Sequence, residues 1–124
     1  MRLFKSKAFG RFARSQDITD EDLCEAIERA EKGLIDANLG GYVIKQRIAR
    51  AGEGKSGGFR SIIFFRSGDK AIFVHGFEKN AKANIARDEL KEYKAAAKII
   101  LKYGDEQMNT AVASGAYIEV KQRK

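Results

Sequence analysis

Six cations crowd the middle of the chain: Lys45, Arg47, Arg50, Lys55, Arg60 and Arg66, opposed in that stretch only by Glu53. Lys45 and Arg47 stand two residues apart, so on a strand they emerge on the same face. Arg60 and Arg66 also share parity, with Ile62 and Phe64 between them as core residues. Cations gathered on a sheet face can hold an RNA backbone. They can also stabilise the dianionic phosphorane through which a phosphodiester is cleaved. Crowding by arginines lowers the pKa of a lysine, which lets it act as a base near neutrality. Ordinary ribonucleases use histidine or carboxylates for that step, and the sequence shows no obvious pair of either.

Other chemical signals are weaker. Gly54-Lys55-Ser56 resembles the end of a phosphate-binding P-loop, but Ala49 stands where the first glycine belongs and a strand follows instead of a helix. ATP and GTP binding are therefore rejected. Gly57-Gly58-Phe59 lacks the order of glycines and aromatics that marks an RNA-recognition sheet. His75, the one histidine, sits between Phe73, Val74 and Phe77 and reads as a half-buried structural residue. Without a second histidine or a cysteine pair it anchors no metal site. Cys24 adjoins the apolar face of a helix and reads as buried volume. No hydrolase set of the Ser/His/Asp or Cys/His type is recognisable.

The elements that must position these residues follow from periodicity. Met1–Phe4 fits a short strand. From Ser6 to Arg14 the pattern is helical, with Phe9, Phe12 and Ala13 on one face and Lys7, Arg11 and Arg14 on the other. Thr19 is a plausible N-cap with Asp22 three residues on, and Ile18 can staple onto Leu23. Leu23, Ile27, Ala30 and Leu34 continue the apolar stripe of that second helix, and Asp20, Glu21 and Asp22 suit the dipole of its first turn. Tyr42–Ala49, Phe59–Arg66 and Lys70–Phe77 read as strands, the first two joined by Gly52–Gly58 and the last two by a Ser67-Gly68-Asp69 hairpin. Helical period returns with Leu90, Tyr93, Ala97, Ile100 and Leu101 and stops at Gly104. A short helix at 105–114 and a strand at Tyr117–Val120 complete the order. The expected fold is α+β: a twisted antiparallel sheet packed by two N-terminal helices, with a helical excursion before a C-terminal strand.

Composition narrows the classes. The 124 residues fit one domain spanning 1–124, and 44% hydrophobic with 33% charged residues is a globular composition. No apolar run approaches the roughly 20 residues of a membrane span. The N-terminus alternates Lys/Arg with Phe and lacks an apolar signal core, so a cytoplasmic protein is expected, and a single Cys suits a reducing compartment. The net charge of +7 is unevenly spread. Residues 1–16 hold five cations and no acid, 17–38 hold two cations and eight acids, and 41–82 hold nine cations and three acids. Two basic blocks around an acidic one imply a phosphate-facing surface.

Gly40-Gly41-Tyr42-Val43-Ile44-Lys45-Gln46-Arg47-Ile48-Ala49-Arg50, then Gly54-Lys55-Ser56-Gly57-Gly58-Phe59-Arg60, an aromatic hairpin and Gly76-Phe77-Glu78-Lys79-Asn80 together carry a family resemblance. The chain is similar, nearly end to end, to RelE/HigB-type toxins of bacterial type II toxin–antitoxin systems, within the RelE/ParE superfamily. The resemblance implies a ribosome-dependent endoribonuclease that cuts mRNA through the RNA's own 2′-hydroxyl and inhibits translation. It also implies a cognate antitoxin, ribosome and mRNA as partners, with no metal and no small-molecule cofactor. By position, Arg60 matches the arginine that stabilises charge on the scissile phosphate, and Lys45 and Arg47 match the basic pair on the preceding strand. Arg50, Lys55, Lys79 and Lys82 are expected to bind RNA, and Lys7, Arg11 and Arg14 to contact ribosomal RNA. RelE itself places an arginine and then a tyrosine after the fourth strand; Asn80 and Ala86 stand near those positions here. The alternatives are a ParE-like DNA gyrase inhibitor and a non-catalytic basic nucleic-acid-binding module.

Overall fold

The computed structural model describes residues 1–50, 54–78 and 85–122, without the side chains of 50 and 54–57. The order is β1 (Arg2–Ser6), α1 (Lys7–Ser15), α2 (Asp20–Glu31), β2 (Ala37–Gly40), β3 (Val43–Arg50), β4 (Gly54–Arg66), β5 (Lys70–Glu78), α3 (Arg87–Ile100), α4 (Asp105–Ala113) and β6 (Tyr117–Glu119). The six strands form one sheet in the order β2-β3-β4-β5-β1-β6. All neighbours are antiparallel except β1 and β5, which run parallel with Arg2 opposite Lys70 and Lys5 opposite Phe73. The fold is α+β as expected. Among the described residues no helix is long and apolar enough to cross a membrane.

Local sequence explains the helix ends. Ser6 caps α1 by accepting from the Phe9 N–H at 3.1 Å. Thr19 and Asp22 form a reciprocal capping box at the start of α2, the Thr19 N–H donating to Asp22 at 2.9 Å and the Asp22 N–H to Thr19 at 3.1 Å. The stripe does not continue to Leu34. Gly33 takes φ +84°, and the Leu34 N–H turns back to the Arg29 carbonyl at 2.9 Å. Leu34 therefore points outward and is 61% exposed.

Helices cover both faces of the sheet. On one face α1 and α2 bury Phe9, Ala13, Leu23 and Ile27 against Ile44, Ile48, Phe59, Ile63 and Phe73. On the other, α3 and α4 bury Ala97, Ile100, Leu101 and Met108 against Phe4, Val43, Ile62, Phe64 and Ile72. The helices at 87–113 thus supply the second apolar layer. The expected loop at 52–58 is shorter, because β4 already starts at Gly54, opposite Arg50. At Gly58 a side chain would strike the Ile48 carbonyl, so β3 and β4 approach each other here only over glycine. Arg2 ties the last elements together, donating to Glu119 on β6 at 2.8 Å and to Asn109 on α4 at 2.8 Å.

Candidate functional site

The face on which the cations emerge is set by one buried residue. Gln46, with no exposed surface, donates through Nε2 to the Ala26 and Leu34 carbonyls at 2.9 and 3.0 Å and accepts from the Asp36 N–H at 3.1 Å. Its own carbonyl accepts from Ser61 Oγ at 2.9 Å. These bonds hold Ile44, Gln46 and Ile48 toward α2, so Val43, Lys45 and Arg47 face the other way. On β4, Phe59 and Ile63 pack under α1 and α2, which sends Arg60, Ile62 and Phe64 to that same second face.

Register then assembles two rows across β3, β4 and β5. Arg47 lies opposite Arg60, which lies opposite Phe77; Lys45 lies opposite Ile62, which lies opposite His75. Val43, Phe64 and Ile72 are covered by α3 and α4, whereas Lys45, Arg47 and Arg60 stay half-buried and His75 is exposed. The rings of His75 and Phe77 sit 5.7 Å apart. Sequence parity alone puts Phe73, His75 and Phe77 on one face. A bulge at Val74 breaks that parity: Ile63 pairs with Phe73 but Ile62 with His75. Phe73 goes under α1, while His75 and Phe77 join the cations. His75 is not the half-buried structural residue its neighbours suggested.

Two arginines directly opposed across a ladder repel each other. Arg47 Nε and Arg60 Nη1 are moreover buried without a hydrogen-bond partner. Asp36 Oδ2 is 3.6 Å from Arg47 Nε, within ion-pair range but beyond a hydrogen bond. Buried donors left unpaired are costly in a folded protein, and two guanidinium donors of this kind can accept an oxyanion.

Lys45, Arg47 and Arg60 are therefore brought together. Lys7, Arg11 and Arg14 are not: all three are exposed on α1, across the sheet from the arginine pair. Lys79 and Lys82, and the side chains of Arg50 and Lys55, lie outside the described residues. The sequence marks neither Asp36 nor Phe77 as a site residue, and it suggests only a structural role for His75. Cys24 is partly buried, and burial together with Asp20, Glu28 and Glu21 pushes its thiol pKa up, which disfavours a nucleophilic thiolate. Among the described residues no group of three His, Cys, Asp or Glu side chains gathers to hold a metal ion.

Comparison with curated proteins finds no match. The sequence model of the RelE toxin of the RelE/RelB toxin–antitoxin system matches residues 1–120, with β1 at one end of the match and β6 at the other. The chain belongs to the RelE toxin family.

Proposed function

We propose that this toxin is a ribosome-dependent mRNA endoribonuclease, held inactive by its cognate antitoxin. The observation that carries the reading is the pair Arg47 and Arg60, opposite each other on β3 and β4, each with a buried donor that lacks a hydrogen bond. Two guanidinium groups that cannot lose their charge suit a clamp on the non-bridging oxygens of a scissile phosphate. Their benefit is greatest when charge builds up in the phosphorane. A gyrase inhibitor has no need of such a pair.

In the proposed reaction the RNA 2′-hydroxyl attacks the adjacent phosphorus. The new O2′–P bond forms, the P–O5′ bond breaks, and the products are a 2′,3′-cyclic phosphate and a 5′-hydroxyl. The proton of the 2′-oxygen passes to the His75 imidazole, and water gives one to the departing 5′-oxygen. His75 lies diagonally across the ladder from Arg60, a separation of about 7–8 Å that a bound phosphate can bridge. Its imidazole is the proton-transfer group of this site, and Lys45, one row from Arg47, adds charge stabilisation. The ribosome supplies the alignment of the 2′-hydroxyl, and positioning of this kind lowers barriers substantially.

Single-turnover cleavage of mRNA on ribosomes tests the reading. Arg60→Ala should reduce the rate by about 10²-fold or more while folding and antitoxin binding persist, and Arg60→Lys should recover only part. His75→Ala should cost about 10²–10⁴-fold. Near-normal cleavage by folded Arg60→Ala, or growth arrest without any RNA cleavage, would refute it.

A further inference from the structure

A second basic feature lies at the other end of β3. A groove of about 430 Å³ runs between α3 and the β2–β3 turn, lined by Gly41, Tyr42, Arg66, Lys94, Ala97, Lys98, Leu101 and Lys102. Its floor is apolar, since Ala97 and Leu101 are buried. Among the described residues its rim holds four cations and no carboxylate. Lys94 and Lys98 stand about one turn apart on α3, about 6 Å along its axis, and Lys102 follows in the turn after the helix. That spacing is of the order of the phosphate-to-phosphate step of a nucleic-acid strand. The acids of α3, Asp88, Glu89 and Glu92, all precede these lysines.

The wall opposite α3 is built unusually. Gly40, Gly41 and Tyr42 adopt positive φ in succession, +85°, +60° and +65°. Glycine takes that conformation freely and tyrosine does not. At Gly41 a side chain would come within 2.9 Å of Lys94 Cγ, so the bare backbone lets the lysine stem lie against the turn. The strained residue presents its ring to solvent, Tyr42 being 57% exposed. An exposed aromatic beside a row of cations over an apolar floor is the composition of a single-strand platform, on which bases stack while phosphates pair with the rim.

We infer that this groove binds the mRNA strand where it continues away from the scissile phosphate, with a base on Tyr42 and phosphates on Lys94, Lys98, Lys102 and Arg66. The inference rests on the ribonuclease reading for the identity of the strand. Continuity supports it: Lys45 and Arg47 follow Tyr42 on β3 by about 10 and about 17 Å at 3.3 Å per residue, on the same side of the sheet. An acidic peptide of a partner protein would satisfy the cations but give the strained tyrosine no role.

The test is fluorescence anisotropy with the full chain and two RNA probes, a 4-mer and a 12-mer, each made uncleavable by a 2′-deoxy substitution. The triple variant Lys94→Ala/Lys98→Ala/Lys102→Ala should lose the extra affinity of the 12-mer, with a salt slope lower by about 0.7 per lost contact, and bind the 4-mer normally. Tyr42→Gly removes the ring at a φ that glycine accepts, so the fold is kept; it should weaken the 12-mer by about tenfold, while Tyr42→Phe binds like the parent. Unchanged 12-mer binding by the triple variant overturns the inference. So does loss of antitoxin co-purification with RNA binding intact, which assigns the groove to an acidic peptide, and so does a wild-type chain that binds neither probe. Because the readout is binding alone, it fails separately from the ribonuclease reading, which falls with a folded, cleaving Arg60→Ala.

Discussion

Replacing Gln46 by leucine tests the link between a buried amide and the site. The two side chains are similar in volume, so the perturbation is chemical: three hydrogen bonds vanish, two donated to Ala26 and Leu34 carbonyls and one accepted from the Asp36 N–H. At about 1 kcal/mol net per bond, the variant should lose about 3 kcal/mol. Unfolding entropy of about 2.1 cal/mol/K per residue over 124 residues gives about 0.26 kcal/mol/K, so Tm should fall by about 11 °C. The Asp36 tether goes with it, and Asp36 is the carboxylate beside Arg47. Cleavage should therefore drop further than the folded fraction at temperatures where the variant is fully native. Calorimetry gives the first quantity and single-turnover rates on ribosomes the second. A Tm change below about 4 °C would mean that Gln46 does not hold the register, and the account of why Lys45 and Arg47 face outward would fail.

Gly76→Ala places a methyl against the Phe12 and Phe9 rings, so α1 must move; a loss of about 1–3 kcal/mol is expected in urea unfolding, whereas Gly68→Ala, with open space around it, lacks that clash and pays only for its positive φ. Hydrogen bonds from Arg2 hold the Glu119 carboxyl below the usual carboxylate range. Its contribution to stability is therefore complete above the unfolded value of about 4.3 and is lost as pH falls through the lower folded one. The urea midpoints of wild type and Glu119→Gln should converge as pH drops through that window, and the gap should be small because Glu119 is 40% exposed. Parallel midpoint curves would show that the pair contributes nothing.

The signals legible in sequence were local. Thr19 and Asp22 announced their capping box, Ser67-Gly68-Asp69 its hairpin, and the spacing of Lys45 and Arg47 their common face. The meeting of Arg47 with Arg60 depends on hairpin register, which is fixed by glycine contacts at 58 and a bulge near Arg50 that no propensity reveals. His75 was misread because one extra residue at Val74 shifts a period-two pattern. Strand β2 was missed since Ala37-Asn38-Leu39-Gly40 has no β-branched or aromatic residue and pairs only at the sheet edge. The α3 groove joins residues 41–42, 66 and 94–102, a juxtaposition that only tertiary packing makes.

The place of β1 bears on how this molecule comes into being. The first strand of the sequence is an interior strand of the sheet, flanked by β5 and β6. Its partners in the ladder, Lys70 to Phe73 on one side and Tyr117 to Glu119 on the other, are separated from it by most of the chain. During synthesis Leu3 and Phe4 have no sheet to join until the fifth strand leaves the exit tunnel, and the sheet closes only with the sixth. Such long-range pairing slows folding and prolongs the exposure of an unpaired apolar strand. Chains cut short before residue 117 lack the strand that pairs one edge of β1, and they should aggregate more readily than the whole chain.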